Sequence, residues 1–307
     1  MKTAVITGAT GGIGRALISL CIREGYEVLA IVHRESKRAG DLERIEHCHM
    51  LSLDLDEYAD GMEVIKKSGI ELSGYELFFH LAWKAPFGSG RDDLNLQLSN
   101  VKCALAAVEL ASELGCSTFV GAGSQAEYGR TEGKLSPDTP AFPETGYGVA
   151  KLCAGQMTRL RCEQLGMKHI WTRILSVYGP CDGESTLIST AIRCMVRGEG
   201  TEFSPCEQMW DYIYTDDAAR ALLIAAQKGS SGSLYVIGGG RARPLKDYIM
   251  DIAAITGYDR EIGFGKREYN PKQVMHLEAD ISALEETGFR PMVTFKEGIQ
   301  SILDLTE

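Results

Sequence analysis

The chain has 307 residues, 44% hydrophobic and 24% charged, enough to bury a substantial core in one large α/β domain or in a domain with a smaller lobe. A formal net charge of −10 argues against nucleic acid or an anionic membrane as the main partner, yet leaves room for a phosphorylated ligand held by helix N-termini and local cations. Nine cysteines without a C-x-x-C pair read as reduced thiols, the run MKTAVITGATGG is too short for a signal peptide, and no stretch reaches the roughly 18 apolar residues of a bilayer span. A cytoplasmic protein without membrane or metal partners is the expectation.

Thr3–Thr7 is a β-branched run closed by Gly8, the pattern of a buried parallel strand. Apolar residues at Ile13, Leu17, Leu20 and Cys21 predict a helix over Ile13–Glu24, stopped by Gly25. Strands are expected at Glu27–Val32, His49–Leu53 and Leu77–Leu81, then a long helix over Asp92–Leu114. A fifth strand at Thr118–Val120, a helix at Tyr147–Leu165 and a sixth strand at His169–Leu175 complete the alternation. Strands alternating with helices predict an α/β fold built on a doubly wound parallel sheet with right-handed crossovers.

Beyond Tyr178 the regularity loosens. A helix is expected over Leu187–Arg197, an irregular stretch up to Met209 and a short strand at Tyr212–Tyr214. Thr215 is the expected N-cap of a helix reaching Lys228, with Asp216 and Asp217 in its first turn. A strand at Leu234–Ile237 and helices near Leu245–Thr256, Ile281–Glu286 and Phe295–Asp304 follow. Residues 1–176 and 211–240 are expected to form the dinucleotide-binding domain. Segments 177–210 and 241–307 are expected to form a small C-terminal substrate-binding lobe.

Between the first strand and the first helix stands Gly8-Ala9-Thr10-Gly11-Gly12-Ile13-Gly14. In a Rossmann sheet Gly8 would permit the tight turn, Gly11 would let backbone approach a pyrophosphate and Gly14 would allow close helix–strand packing. At the end of the second strand, where an NAD-selective chain carries an acid, this one has His33-Arg34, with Lys37 and Arg38 following. A guanidinium pairs with a 2′-phosphate where a carboxylate would accept from a 2′-hydroxyl, so NADP(H) is predicted, with Arg34 as main contact.

Tyr147 and Lys151 lie four residues apart on one face of a predicted helix. A neighbouring ammonium stabilises phenolate, so Lys151 is expected to lower the Tyr147 pKa and make it a general acid or base. Ser124, just after the fifth strand, could give a substrate oxygen a second hydrogen bond. The catalytic set is therefore Ser124, Tyr147 and Lys151.

With these pieces in register, the chain resembles the extended short-chain dehydrogenase/reductases, the nucleotide-sugar epimerases, dehydratases and reductases. The motifs run from Thr7–Gly14 through Asp54-Leu55, His80-Leu81-Ala82, Asn100-Val101, Ser124-Gln-Ala-Glu-Tyr128-Gly129, Tyr147–Lys151 and Arg173–Pro180 to Asp211–Asp217. The resemblance implies that Asp54 and Leu55 flank the adenine and that Leu81, Ala82, Trp83, Ala122, Ile174 and Leu175 line the cofactor. It places Asn100 beneath the nicotinamide. It also implies a homodimer through the two long helices. Where the family's 4,6-dehydratases carry an Asp-Glu pair after the catalytic Ser/Thr, this chain has Gln125 and Ala126, with Glu127 expected to face elsewhere.

That departure argues against a dehydratase, and the basic residues after the second strand point to an NADPH-dependent 4-ketoreductase of nucleotide sugars. The strings His80-Leu-Ala-Trp83, Gly123-Ser-Gln-Ala-Glu-Tyr-Gly129 and Trp210-Asp-Tyr212 resemble deoxysugar 4-ketoreductases of the CDP-abequose and CDP-paratose synthase type. The family's usual substrate-holding arginine and asparagine are Trp210 and Ser176 here. Lys84, Phe87, Gln125, Arg193 and Arg267 are candidate substrate contacts, and Trp83 and Phe87 could equally pack in the core. A nucleotide-sugar 4-epimerase, a reductase of a small ketone, and a non-catalytic NADP-sensing protein remain as alternatives.

Overall fold

Runs of β-branched and aromatic residues without polar alternation require cover on both faces, and the sheet of this chain has it. The computed structural model describes residues 2–271 and 273–305. β1 (Lys2–Thr7), α1 (Gly12–Arg23), β2 (Tyr26–Val32), β3 (Cys48–Ser52), α2 (Gly61–Ser68) and β4 (Tyr75–His80) come first. α3 (Leu94–Glu113), β5 (Thr118–Ser124), α4 (Gly146–Gln164) and β6 (Lys168–Ile174) continue the alternation. β7 (Ser176–Tyr178), α5 (Leu187–Val196), β8 (Thr201–Glu202), β9 (Met209–Trp210) and β10 (Tyr212–Tyr214) follow. The chain ends with α6 (Thr215–Lys228), β11 (Ser233–Ile237), β12 (Arg243–Pro244), α7 (Leu245–Thr256), β13 (Ile262–Gly263), α8 (Ser282–Glu286) and α9 (Phe295–Asp304).

The main sheet has seven strands in the order β11-β6-β5-β4-β1-β2-β3, all parallel. α1 packs on α6 over one face and α3 on α4 over the other. Ile6, Leu17, Val28 and Leu222 belong to the core of the first face, Val5, Leu29, Phe78 and Phe119 to that of the second. A separate cluster of Tyr178, Ile192, Phe203, Tyr248 and Ile299 ties α5, α7 and α9 together. No helix among the described residues is long and apolar enough to cross a membrane.

Short strands β7, β8, β12 and β13 join the expected elements, and three further differences have a local physical reason. β5 runs on past Val120 through two glycines to Ser124. Gly121 and Gly123 score poorly as strand formers, but a Cβ at either would collide with the Trp171 side chain on β6. Thr215 is the first residue of α6 and not its cap; Tyr214 holds the cap position with extended backbone. The Thr215 side chain instead fills the space beside Gly12 and Gly179. α2 occupies a stretch to which no element was assigned, because it is short and only Gly61 and Ile65 are buried.

Because β1 lies between β2 and β4, the crossovers leave in opposite directions from that point. Such a switch opens a crevice at the carboxyl ends of the strands, and every candidate catalytic side chain stands at that end.

Candidate active site

The floor of the crevice starts at the glycine turn. Gly8 has φ of 68°, a left-handed conformation that glycine adopts without strain, and its carbonyl accepts from Gly11 N at 3.1 Å. A Cβ on Gly14 would collide with that carbonyl and lie 2.9 Å from Ala9 Cα. α1 begins with Gly11 as its cap, without a side-chain cap bond and without an acid in the first turn. Its leading amides and positive dipole end are therefore left facing the crevice, a donor set suited to a pyrophosphate.

At the end of β2, the Arg34 backbone N donates to Asp54 at 2.9 Å, while its guanidinium grips Glu57 with bonds of 2.7 and 2.8 Å. His33 lies 3.6 Å from Asp54. Arg38 points the other way, donating to Cys181 O at 2.7 Å, and lines the crevice. The Thr10 hydroxyl accepts from Ser36 at 3.2 Å. Of these cations Arg38 lines the cleft together with the glycine turn, and Arg34 and Lys37 do not.

β5 delivers Ser124 as its last residue, and the hydroxyl caps the one-turn 3-10 helix Gln125–Glu127 by accepting from Ala126 N at 3.2 Å. Thr145 caps α4, whose second and sixth residues are Tyr147 and Lys151. The Lys151 ammonium donates to Ala122 O at 2.6 Å and sits 3.8 Å from the centre of the Trp83 ring. Burial pulls the Lys151 pKa down to about 7, against the pull of Glu127. Tyr147 stands edge-on to Trp83, with ring centres 6.2 Å apart. Burial raises its pKa, opposed by Ser124 and by the Arg91 guanidinium. The lowering expected from Lys151 is thus not what sets the phenol here; Lys151 Nζ is 5.8 Å from the ring and turned to Ala122 and Trp83.

Glu127 faces away from the cleft, as expected, and does so for a definite reason. Its carboxylate accepts from Ser124 N at 2.8 Å, from Trp171 Nε1 at 3.1 Å and from Arg173 Nε at 2.8 Å. The Arg173 guanidinium in turn lies 4.2 Å from the centre of the Tyr128 ring. Ser124 therefore rests on a buried, fully paired set of charges. The S-x-x-E spacing of Ser124 and Glu127 is the signature of a capping box and was the available signal for this arrangement.

Together these groups enclose a cleft of about 570 Å³. Of the expected cofactor contacts, Gly8, Gly11–Gly14, Arg38, Leu81, Trp83, Ala122, Ile174 and Leu175 line it; of the expected substrate contacts, Phe87, Ser124, Gln125, Ser176 and Trp210 do. Trp210 Nε1 donates to Ser176 Oγ at 2.8 Å, so the two departures from the family pattern satisfy each other. Ala82 packs instead against the glycine turn, where its N lies 2.8 Å from a Cβ built on Gly8. Asp54 and Leu55 start the turn that holds Glu57 beside Arg34. Asn100 is buried and clamps both the N and O of Lys84, while the Lys84 ammonium pairs with Asp56. Arg193 donates to Glu184 O at 2.9 Å. Arg267 lines a different hollow beside Glu202.

Residues not anticipated also line the cleft. Pro86, Arg91 and Asp182 are among them. Gln97, one helical turn before Asn100 on α3, accepts from Trp83 Nε1 at 2.9 Å and so sets the indole that covers Lys151. Its three-residue spacing from Asn100 was the signal for a shared inward face.

A parallel dinucleotide sheet, a glycine turn at an open helix N-terminus, and a Ser/Tyr/Lys set in one cleft define an NAD(P)-dependent oxidoreductase of the extended short-chain class. The profile of the NAD dependent epimerase/dehydratase family matches residues 4–238, and the chain belongs to that family. Over nearly its whole length it is similar to CDP-abequose synthase of Salmonella typhimurium, with 23% identity covering 97% of this chain and 96% of that one. Its fold matches UDP-glucose 4-epimerase of Thermotoga maritima, solved with UDP-glucose, at a TM-score of 0.86, 24% identity and coverage of 99% and 100%. UDP-glucuronic acid 4-epimerase of Bacillus cereus, solved with UDP-glucuronic acid and NAD, matches at 0.83, 21% identity and 98% of each chain.

Proposed function

We propose that the chain reduces a 4-keto (deoxy)sugar nucleotide to the 4-hydroxy sugar with NADPH. The observation that carries this reading is the shared cleft: Ser124 and Tyr147 face the same space as the glycine turn and Arg38. The first-turn amides of α1 would hold the pyrophosphate, Lys151 the nicotinamide ribose, and Arg38 with Arg34 the 2′-phosphate. When bound, the nicotinamide supplies the hydride. Tyr147 gives its proton to the substrate oxygen, and Ser124 donates a hydrogen bond to that same oxygen as its charge develops. Trp83 covers Lys151, and Trp171 donates to the Glu127 carboxylate that holds Ser124 N. Gln125 and Ala126 supply neither the acid nor the base of an elimination, and the likeness to CDP-abequose synthases favours a sugar-nucleotide substrate. Segments 177–210 and 241–307 would form the lobe that holds it, in a cytoplasmic enzyme.

A screen of 4-keto-6-deoxy nucleotide sugars for NADPH oxidation tests the reading. Oxidation with one of them, at a lower KM for NADPH than for NADH, is the expected result. One observation favours the 4-epimerase reading: the Arg34 fork is already closed on Glu57, which weakens discrimination for a 2′-phosphate. Turnover of a UDP-, CDP- or dTDP-sugar without added cofactor, together with no NADPH oxidation, would decide for the epimerase.

The partner proposed for α3 and α4 is a second copy of this chain. Leu94 and Leu98 on α3 are 71% and 55% exposed, and Val149 and Leu160 on α4 are 53% and 49% exposed. Sedimentation of the purified protein should show a dimer, and Leu98→Asp with Leu160→Asp should convert it to monomer.

A further inference from the structure

We infer that Arg91 is a positioning residue for Tyr147: a turn docked against the start of α4 holds its guanidinium beside the phenol ring, where it stabilises the phenolate left when Tyr147 gives up its proton. The inference rests on the proposed role of Tyr147 as proton donor. In that step the Tyr147 O–H bond breaks, an O–H bond forms on the substrate oxygen, and a negative charge remains on the phenol oxygen until solvent reprotonates it.

The guanidinium carbon lies 4.5 Å from the centre of the Tyr147 ring. Its placement is fixed from several sides. Gly90 O accepts from the buried Gln97 Nε2 at 2.8 Å, and Asp92 Oδ1 accepts from Gly146 N, one residue before Tyr147, at 3.3 Å. Asp93 caps α3 through Asn95 N and Leu96 N, both at 3.1 Å. A Cβ on Gly146 would lie 2.9 Å from Leu94 Cδ2 and 3.1 Å from Arg91 O, so the closeness of the turn to α4 depends on that glycine. Arg91 itself donates to Pro86 O at 3.4 Å and enters no ion pair among the described residues, which leaves its charge to act on the phenol.

The other groups around Tyr147 do not replace it. Ser124 from β5 is neutral, and Trp83 from the loop after β4 meets the ring edge-on. Glu127 from the turn after β5 opposes phenolate formation and is itself neutralised by Arg173. Asp92 is engaged with Gly146 N. Lys151 from α4 is farther from the ring, 5.8 Å against 4.5 Å, and bonded to Ala122 O. Arg91 is thus the nearest permanent cation, since a guanidinium stays charged where a buried ammonium does not.

A difluorotyrosine in place of Tyr147 moves the phenol titration into a range where the folded protein survives, and fluorine NMR then reads its midpoint in the full chain without any sugar. Arg91→Met should raise that midpoint by about one pH unit, and Arg91→Lys by less. Thermal unfolding should be nearly unchanged in both, because Arg91 is only half-buried. A midpoint unmoved in Arg91→Met, or moved as far in Arg91→Lys as in Arg91→Met, would overturn the inference. The role of Tyr147 fails separately, by an active Tyr147→Phe variant.

Discussion

Two ion pairs bracket the cleft and obey opposite rules. Behind Ser124, the side chains of Glu127 and Arg173 are 0% and 5% exposed, and each is also held by a further aromatic residue. At the end of β2, Arg34 and Glu57 are 48% and 40% exposed and face water. The buried pair cannot lose one member without leaving a stranded charge, whereas the exposed pair can open and close at little cost. Ser124 thus rests on a rigid floor, and under the proposed function cofactor selection falls to a water-facing rim whose cations a ligand phosphate could draw away from their partners.

Variants on the two sides of the cleft test that contrast. The largest effect should come from the proposed proton donor: Tyr147→Phe should cut turnover by about 10²–10⁴ while dinucleotide affinity, measured by titration calorimetry, stays within about threefold. Equal losses in affinity and turnover would mean that the phenol organises the cleft and does not exchange a proton. Next, Glu127→Ala should cost about 3–5 kcal/mol in urea unfolding by orphaning Arg173, and Glu127→Gln less, since an amide oxygen can still accept from Ser124 N. A loss for Glu127→Ala as small as that of Glu57→Ala would erase the distinction between floor and rim.

Acid should act on the same buried layer. Burial holds His80 and His169 neutral, with pKa values pulled from 6.5 to about 3 and about 4. The unfolded chain takes up protons near pH 6.5 while the folded chain does not. The stability these histidines carry is therefore complete above that pH and is lost as pH falls toward 4, at up to about 1.4 kcal/mol per pH unit for each. His169→Gln should flatten that slope; an unchanged slope would remove His169 from the account. The smallest effects belong to the rim. Arg38→Ala should weaken NADPH about tenfold relative to NADH, and Arg34→Ala less than threefold, because Glu57 competes for its fork. The reverse order would restore Arg34 as the principal contact.

Much of this site was legible in the chain. Gly8, Gly11 and Gly14 have positions that only a tight turn against a helix start explains, and Tyr147 and Lys151 needed no more than helical periodicity to share a face. The extension of β5 to Ser124 was not legible, because glycines that weaken a strand locally are required by the Trp171 ring on the next strand. Arg91 is unmarked in the chain for a related reason. Nothing near it in sequence marks it, and its neighbour Tyr147 comes to it only through the docking of the 88–92 turn on α4.

By itself the sequence determined the alternation of strands and helices, the glycine turn before α1 and the shared helix face of Tyr147 and Lys151, since each depends on spacing along one segment or across one turn. Tertiary structure alone decided which cation faces the phenol, which carboxylate supports Ser124, and which arginine after β2 lines the cleft. Those outcomes depend on the distance and burial of groups brought together from separate elements, and charge interactions change with both far more steeply than local propensity can register.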